Sequence, residues 1–191
     1  STSSSCGCLK TQFNEAAEQH FFGIFDGHGQ YGDWVSGYVR DNIIQNFQSM
    51  LAMKKGDVNE AFKQACLFTD QQMHCSKDRL SGTTLVAAYL KGKELHIANI
   101  GDSRAVLASL GEGGLYATAL THDQTPYRRD ERERCKLTGC RVMNMDQLEG
   151  YEEMHDNWDI ELGEEIDDGG DPPRIWHKTK NLPGCAFTRS L

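Results

Sequence analysis

The feature that most limits the fold is a series of predicted strands joined by very short turns. Residues 82–90 are rich in β-branched and apolar side chains, and the Lys91-Gly92-Lys93 sequence after them is typical of a hairpin turn. Three further strands are predicted at residues 94–100, 104–108 and 116–120. Strands joined this closely pair antiparallel, because a parallel connection needs a crossover of about a dozen residues or more. The sequence therefore predicts an antiparallel meander rather than a series of βαβ units.

Two predicted helices precede these strands. Residues 33–51 carry apolar side chains at helical spacing, and Lys54-Lys55-Gly56 marks the end of this helix. A second helix is predicted from Asp57, with Glu60 three residues later in a capping-box pattern. Its predicted apolar face consists of Val58, Ala61, Phe62, Ala65, Phe68 and Met73. Long helices beside an antiparallel meander indicate the α+β class.

Two later elements are also predicted. Thr125-Pro126 is expected to open a third helix, because proline is favoured at the first helical position. Gly139 is expected just past the end of that helix, where glycine commonly terminates helices. Residues 186–190 are the candidate for a last strand.

Composition and charge narrow the class of protein. The 191 residues are 38% hydrophobic and 25% charged, which is typical of an ordered globular protein. The net charge of −8 comes from one segment, because residues 146–171 contribute 12 acids and the remainder carries about +4. No basic stripe is present, so nucleic acid is not an expected partner. No apolar run approaches the length of a membrane span, so no membrane association is expected.

The acidic segment, at about residues 144–171, has weak periodicity and is interpreted as an inserted, solvated loop or flap. Binding of a divalent ion or docking of a partner is the alternative role for it. The segment lacks the ligand spacing of an EF-hand loop, so calcium binding there is not supported.

Seven cysteines are scattered through the chain, at positions 6, 8, 66, 75, 135, 140 and 185. An odd, scattered set indicates a reduced cytoplasmic or nuclear protein rather than a disulfide framework. Cys6-Gly7-Cys8 resembles half of a zinc site, but no second pair has the spacing that a zinc site needs.

The residues with the clearest chemical potential follow an apolar, aromatic-rich run at residues 21–25. This run predicts a buried strand, and it ends abruptly at Asp26-Gly27-His28. An aspartate is a hard oxygen ligand suited to Mg²⁺ or Mn²⁺, and a histidine readily carries a proton near neutral pH. Two interpretations remain open at this point, a reactive site and an ordinary tight Asp-Gly turn.

Four further segments extend this pattern along the chain. They are Ser81-Gly82-Thr83-Thr84, Asn99-Ile100-Gly101-Asp102-Ser103-Arg104, Thr121-His122-Asp123-Gln124-Thr125-Pro126, and Asp171-Pro172-Pro173-Arg174-Ile175-Trp176 through Ala186-Phe187-Thr188-Arg189-Ser190. With Asp26-Gly27-His28-Gly29, they give a sequence that resembles the metal-dependent Ser/Thr protein phosphatases of type 2C. The last segment is most similar to the plant- and protist-type branch, in which the phosphatase is often part of a larger multidomain signalling protein.

The resemblance implies a four-layer α-β-β-α sandwich, in which helices flank two antiparallel sheets. It also implies two Mg²⁺ or Mn²⁺ ions in the cleft between the sheets, where a metal-bound water attacks the phosphoryl group of phosphoserine or phosphothreonine. Asp26 is similar to the carboxylate that bridges both metals, and the Gly27 carbonyl to a backbone ligand. His28 is similar to the general acid that protonates the leaving oxygen. Asp123 matches a third, weaker metal site, whereas Asp102 and Arg104 match a supporting motif.

The sequence departs from the family pattern at both ends. The family carries an Asn-Gln-Asp run at the positions of Ser3, Ser4 and Ser5, so one metal-ligating aspartate is replaced. After Leu191 the family continues with a Gly-Asp turn and two more metal-binding aspartates. Residues 1–191 are therefore expected to be the N-terminal part of one incomplete type 2C domain. By themselves they are expected to be inactive and to aggregate or bind a hydrophobic dye.

Two functional hypotheses follow from the resemblance. In the first, the parent protein is an active phosphatase with phosphoprotein substrates, and the intact Asp26, Gly27, His28 and Asp123 favour this interpretation. In the second, it is a catalytically degenerate scaffold or binding module in a larger assembly, which the three serines favour. In either case a cytoplasmic or nuclear protein is expected, with further domains or a larger assembly around it.

Overall fold

A computed structural model describes residues 4–13, 18–73, 80–158 and 170–191 of the chain. These residues form two compact units. The first unit comprises Ser1–Ala105 together with Ser190–Leu191, and the second comprises Val106–Arg189. Within the described residues, no helix is long and apolar enough to cross a membrane.

The first unit is built on a five-stranded antiparallel sheet. Its strands are β1 (Ser4–Lys10), β2 (Gln19–His28), β3 (Gly82–Thr83), β4 (Leu85–Lys91) and β5 (Glu94–Ile100). The order is β1-β2-β4-β5, and the short β3 pairs with the end of β2. Lys91 lies opposite Glu94, so Gly92-Lys93 forms a two-residue turn with Gly92 at φ 59°. The predicted hairpin is confirmed, and glycine suits the positive φ that this turn requires.

Two helices, α1 (Gly32–Met53) and α2 (Val58–Met73), pack on one face of this sheet. The aromatic rings of Phe13, Phe21, Phe47, Phe62 and Tyr89 meet in the core between helices and sheet, and the centroids of Phe47 and Phe62 are 4.3 Å apart. Burying several aromatic rings supplies much of the hydrophobic stabilisation of a unit of this size.

The prediction for α2 is confirmed except at one residue. Asp57 caps the helix, since the Glu60 backbone N–H donates to Asp57 Oδ1 over 3.0 Å. Phe68, predicted on the apolar face, is 39% exposed, so that part of the prediction is wrong. Thr69 occupies the buried position instead, and its hydroxyl accepts a hydrogen bond from the Asn46 side chain. A buried polar pair satisfied in this way does not interrupt the packing.

The opposite face of the sheet carries exposed apolar side chains. Phe22 and Ile24 alternate along β2 with the buried Phe21 and Phe25, and they are 42% and 52% exposed. Leu9, directly opposite Phe22 on β1, is 63% exposed. Strand side chains alternate between faces, so one apolar set is covered by the helices and the other remains open to solvent.

The second unit contains the remaining elements. They are β6 (Val106–Gly111), β7 (Gly114–Ala119), α3 (Arg129–Leu137), β8 (Arg141–Met143), α4 (Met145–Glu149), β9 (Arg174–Trp176) and β10 (Pro183–Cys185). β6 and β7 form a two-stranded hairpin, and β10-β9-β8 form a three-stranded antiparallel sheet.

Three predictions for this region are wrong in detail. The meander is not continuous in the described residues, because β6 pairs with β7 and not with β5. Helix α3 begins at Arg129 rather than at residues 125–126, since the chain first makes a turn in which the Arg128 N–H donates to the Thr125 carbonyl. Residues 186–190 form no strand. The predicted glycine terminus is confirmed, with Gly139 at φ 88° after α3.

The described part of the acidic segment is anchored to the second unit. Asn144 and Gln147 form a reciprocal capping box at the start of α4. Asp156 pairs with Arg132 at 3.2 Å and with Lys136 at 2.7 Å, both of which lie on α3. Residues 159–169, which carry the rest of the predicted flap, lie outside the described residues.

Candidate active site

The predicted reactive corner lies at the end of β2, where strand β1 and Thr84, between β3 and β4, fix Asp26. Ser5 is directly opposite Asp26 in the β1–β2 register, and its hydroxyl donates to Asp26 Oδ1 over 2.7 Å. On the other side, the Asp26 N–H donates to Thr84 Oγ1 over 3.2 Å, and the Thr84 N–H donates to the Asp26 carbonyl over 2.9 Å. The backbone and the carboxylate of Asp26 are therefore both held in place.

Two of the other sequence motifs meet at the same corner. Thr84 Oγ1 lies 2.6 Å from Ser103 Oγ, which joins the segment 81–84 to the segment 99–104 by a hydrogen bond between hydroxyls. Asp102 and Arg104 flank Ser103 in the bend after β5, with Asp102 half-buried and Arg104 exposed. The structure thus brings together three segments, the first of which lies more than fifty residues before the other two.

Gly27 is required by the close approach of two backbones. A Cβ atom at Gly27 would collide with the carbonyl group of Gly32, at the first turn of α1. In the same way, a Cβ atom at Gly32 would lie 2.6 Å from the carbonyl carbon of Gly27. Only glycine at both positions lets α1 begin this close to the end of β2.

His28, the last residue of β2, is held by a residue that the site prediction did not include. Its Nε2 atom lies 2.7 Å from Ser190 Oγ. Ser190 Oγ also lies 2.8 Å from the Leu191 carbonyl oxygen and 3.3 Å from the Thr83 carbonyl oxygen. The sequence offered one signal for Ser190, its place in the motif at residues 186–190, but no local pattern links it to His28.

A buried carboxylate organises the second unit. Glu131 on α3 is 3% exposed and accepts hydrogen bonds from Arg189, Arg134 and Thr188 at 2.8, 2.8 and 2.7 Å. Burial raises the pKa of Glu131, but these three hydrogen bonds outweigh it and lower the pKa to about 2. The network fastens the segment 186–189 to α3. It was not predicted, because Glu131 belongs to a run of charged residues that gives no sign of burial.

Asp123 also lies in the second unit, half-buried in the segment between β7 and α3. The next residue, Gln124, accepts hydrogen bonds at its carbonyl from both the N–H and the hydroxyl of Thr188. The backbone beside Asp123 is therefore linked to the same segment that Glu131 holds.

Comparison with known proteins identifies the family of this chain. The family model for protein phosphatase 2C matches residues 1–152. The chain belongs to the protein phosphatase 2C family. It is 40% identical over 187 residues to the probable protein phosphatase 2C 35 of Arabidopsis thaliana, covering 96% of this chain and 52% of that relative. The probable protein phosphatase 2C 73 of the same plant is 30% identical over 213 residues, covering 97% of this chain and 51% of the relative.

Solved structures share the fold of this chain. The serine-threonine phosphatase 2C from Toxoplasma gondii has a TM-score of 0.66 at 20% identity, over 91% of this chain and 55% of its own. A C. elegans sex determining protein has a TM-score of 0.64 at 16% identity, over 93% of this chain and 39% of its own. The predicted α+β fold with antiparallel sheets and flanking helices is confirmed. The chain spans about half the length of the protein phosphatase 2C relatives that it matches.

Protein phosphatases 2C depend on metal ions, which makes the ligand set of this chain the critical question. Each Mg²⁺ or Mn²⁺ ion needs several oxygen ligands. Across the residues that the structure describes, no group of three His, Cys, Asp or Glu side chains could hold a metal ion. The neighbour opposite Asp26 is the Ser5 hydroxyl rather than a second carboxylate. The described residues therefore do not fit a two-metal site by themselves.

Proposed function

We propose that the protein to which this chain belongs is a protein serine/threonine phosphatase that hydrolyses phosphoserine and phosphothreonine in phosphoprotein substrates. The observation that supports this most is the intact Asp26-Gly27-His28 corner, held at the end of β2 by two other family motifs. A protein released from catalysis would have no physical need for this combination of a fixed carboxylate and a fixed imidazole.

In this proposal, His28 supplies the proton that the leaving serine or threonine oxygen takes up. Asp26 and the Gly27 carbonyl are the proposed contribution of this chain to a site for two Mg²⁺ or Mn²⁺ ions, with Asp123 at a third, weaker site. Asp102 and Arg104 are proposed to support the corner. Because the described residues do not fit two ions, the proposal requires further carboxylates outside them.

The test is hydrolysis of a phosphoserine peptide by the full-length protein with and without Mn²⁺. The wild type is expected to turn over only with Mn²⁺, and Asp26→Asn is expected to lose at least a hundredfold in kcat/KM. Asp33→Asn is the matched control, because Asp33 is an exposed aspartate in the first turn of α1. Equal rates for the wild type and Asp26→Asn would exclude this role for Asp26.

The Ser5–Asp26 hydrogen bond favours a second function, that of a catalytically degenerate scaffold or binding module. A hydroxyl at this position satisfies the Asp26 carboxylate without a metal ion. If the full-length protein folds but shows no Mn²⁺-dependent turnover, and if Asp26→Asn changes only its stability, the scaffold function replaces the enzymatic one.

The remaining proposals concern the domain, the compartment and the partners of the protein. We propose that residues 1–191 belong to one type 2C domain with an acidic insertion at about residues 144–171. We propose a cytoplasmic or nuclear protein that acts in signalling. The free thiols of the described cysteines, at positions 6, 8, 66, 135, 140 and 185, support the reducing compartment. Further domains or a larger assembly are proposed as its context.

A further inference from the structure

The contact between His28 and Ser190 determines which nitrogen of the His28 ring carries a proton. A serine hydroxyl has one hydrogen to donate and can accept through its oxygen lone pairs. Ser190 Oγ lies 2.8 Å from the Leu191 carbonyl oxygen and 3.3 Å from the Thr83 carbonyl oxygen, and both atoms can only accept. The hydroxyl therefore donates to a carbonyl, and it accepts from His28 Nε2 across the 2.7 Å contact. This arrangement requires a proton on His28 Nε2.

Ser190 is joined to the sheet through the residue that follows it. The next residue, Leu191, exchanges two backbone hydrogen bonds with Thr83, each 3.0 Å long. Thr83 lies on β3, which pairs with the end of β2 and places Gly82 opposite His28. His28 and the residue after Ser190 therefore both pair with β3, which brings the imidazole and the hydroxyl together.

Gly82 provides the space in which the two side chains meet. A Cβ atom at Gly82 would lie 2.6 Å from His28 Nε2 and would collide with Ser190 Oγ. Any side chain at this position would separate the imidazole from the hydroxyl. Glycine is therefore needed here for the contact itself rather than for an unusual backbone conformation.

We propose that Ser190 is a positioning residue that fixes the orientation of the His28 ring and keeps its Nε2 atom protonated. The proposal rests on the proposed function, in which His28 is the proton donor. Because the Nε2 hydrogen points at Ser190 Oγ, the proton that reaches the leaving oxygen is the one that the imidazolium carries on Nδ1, and its transfer leaves the neutral Nε2–H form that Ser190 favours.

The direct test is the tautomer of His28, measured by two-bond ¹H–¹⁵N correlation spectra of the full-length protein with labelled histidine. Spectra at about pH 8.5, where an ordinary imidazole is neutral, report which nitrogen carries the proton. The His28 signals are assigned from their absence in His28→Gln. The wild type is expected to be protonated at Nε2, and Ser190→Ala is expected to show a mixture of both tautomers. Ser190→Thr keeps the hydroxyl and is expected to resemble the wild type.

A kinetic measurement tests the consequence. With a phosphoserine peptide, Ser190→Ala is expected to lower kcat about tenfold with little change in KM, because general acid–base catalysis depends on correct placement of the proton donor. Ser190→Thr is expected to restore most of the rate. Ser49→Ala is the matched control, since the Ser49 hydroxyl is exposed on α1 and, among the described residues, donates to the Gln45 carbonyl of its own helix.

The outcomes separate this proposal from the proposed function. If the wild-type protein has no phosphatase activity, the proposed function is wrong. The spectra then still test whether Ser190 sets the tautomer of His28. An unchanged tautomer in Ser190→Ala would overturn the positioning role, whether or not the protein is active. A changed tautomer with an unchanged kcat would also overturn it, because the proton position would then have no catalytic effect.

Discussion

Ser5 and Asp26 face each other on neighbouring antiparallel strands, and the serine hydroxyl donates a hydrogen bond to the aspartate carboxylate over 2.7 Å. The family resemblance predicts an aspartate at position 5. The Ser5 hydroxyl supplies a hydrogen bond to the Asp26 carboxylate, so this carboxylate has a partner in the chain itself. A substitution at position 5 therefore tests the site directly.

Ser5→Asp is expected to create a metal-binding pair. Two carboxylates directly opposite each other repel, so the variant should be less stable without metal by about 0.2–1 kcal/mol. Mn²⁺ should then raise its melting temperature more than it raises that of the wild type. Thermal denaturation with and without Mn²⁺ measures both effects, with Ser5→Asn as the uncharged control. An equal response of the wild type and Ser5→Asp would show that position 5 does not limit metal binding.

Glu131→Gln is expected to destabilise the second unit in a pH-dependent manner. Because hydrogen bonds lower the folded-state pKa of Glu131 from 4.5 to about 2, its contribution is fully present above about pH 4.5 and is lost as the pH falls towards 2. The loss in Glu131→Gln should be about 2 kcal/mol at pH 7, a value reduced to account for the partly exposed arginines. Urea denaturation between pH 7 and pH 3 should show the difference from the wild type shrinking.

The control for this prediction lies one half-turn along the same helix. Glu133 is 63% exposed and pairs with Arg129 at 3.0 Å, so Glu133→Gln should cost about 0.5 kcal/mol or less. A comparable loss in Glu131→Gln and Glu133→Gln would contradict the assignment of a special role to the buried carboxylate.

Two glycines of α1 are expected to respond in opposite directions to alanine. Gly32→Ala should lower the free energy of unfolding by about 2 kcal/mol or more, because its Cβ would press on the backbone of Gly27. Gly37→Ala should raise it by about 0.5–1 kcal/mol, because nothing lies within 4 Å of the added atom and alanine favours a helix. Denaturant titrations of both variants test this. Loss of stability in both would indicate that α1 does not approach β2 as described.

The open face of the first sheet should make the 191-residue chain, when produced by itself, bind a hydrophobic dye. The exposed Phe22, Ile24 and Leu9 form a contiguous apolar set on paired strands, and exposed patches of this kind promote association. Replacing both Phe22 and Ile24 by threonine should reduce dye fluorescence severalfold while keeping strand propensity. Size-exclusion chromatography would contradict the prediction if the wild-type chain ran as a monomer without dye binding.

The sequence predicted elements whose signals are local. The β4–β5 hairpin, α1 and the Asp57 cap each depend on residues within a few positions of one another, and each is confirmed. The predicted meander failed between β5 and β6, because strand pairing depends on distant parts of the chain rather than on the turn between them.

The candidate site could be predicted only in part for the same reason. Asp26, Gly27 and His28 are adjacent in sequence, so one motif located all three. Ser190 lies 162 positions from His28 and Glu131 lies 58 from Arg189, and no periodicity or spacing connects such pairs. The contacts follow from the tertiary fold, which composition and hydrophobic patterning do not specify at the level of single hydrogen bonds.

The hydrogen bonds between Leu191 and Thr83 have a consequence for the order in which the protein acquires its structure. Pairing of β2 with β4 brings together segments whose partners lie about sixty to seventy positions apart, such as Ile24 and Val86, whereas docking of residues 190–191 on β3 closes a loop of more than a hundred residues. Contacts of such long range are slow to form, because chain entropy must be lost before they stabilise anything. A newly made chain therefore pairs β2 with β4 before residues 190–191 are available, so the contact between His28 and Ser190 forms after the core.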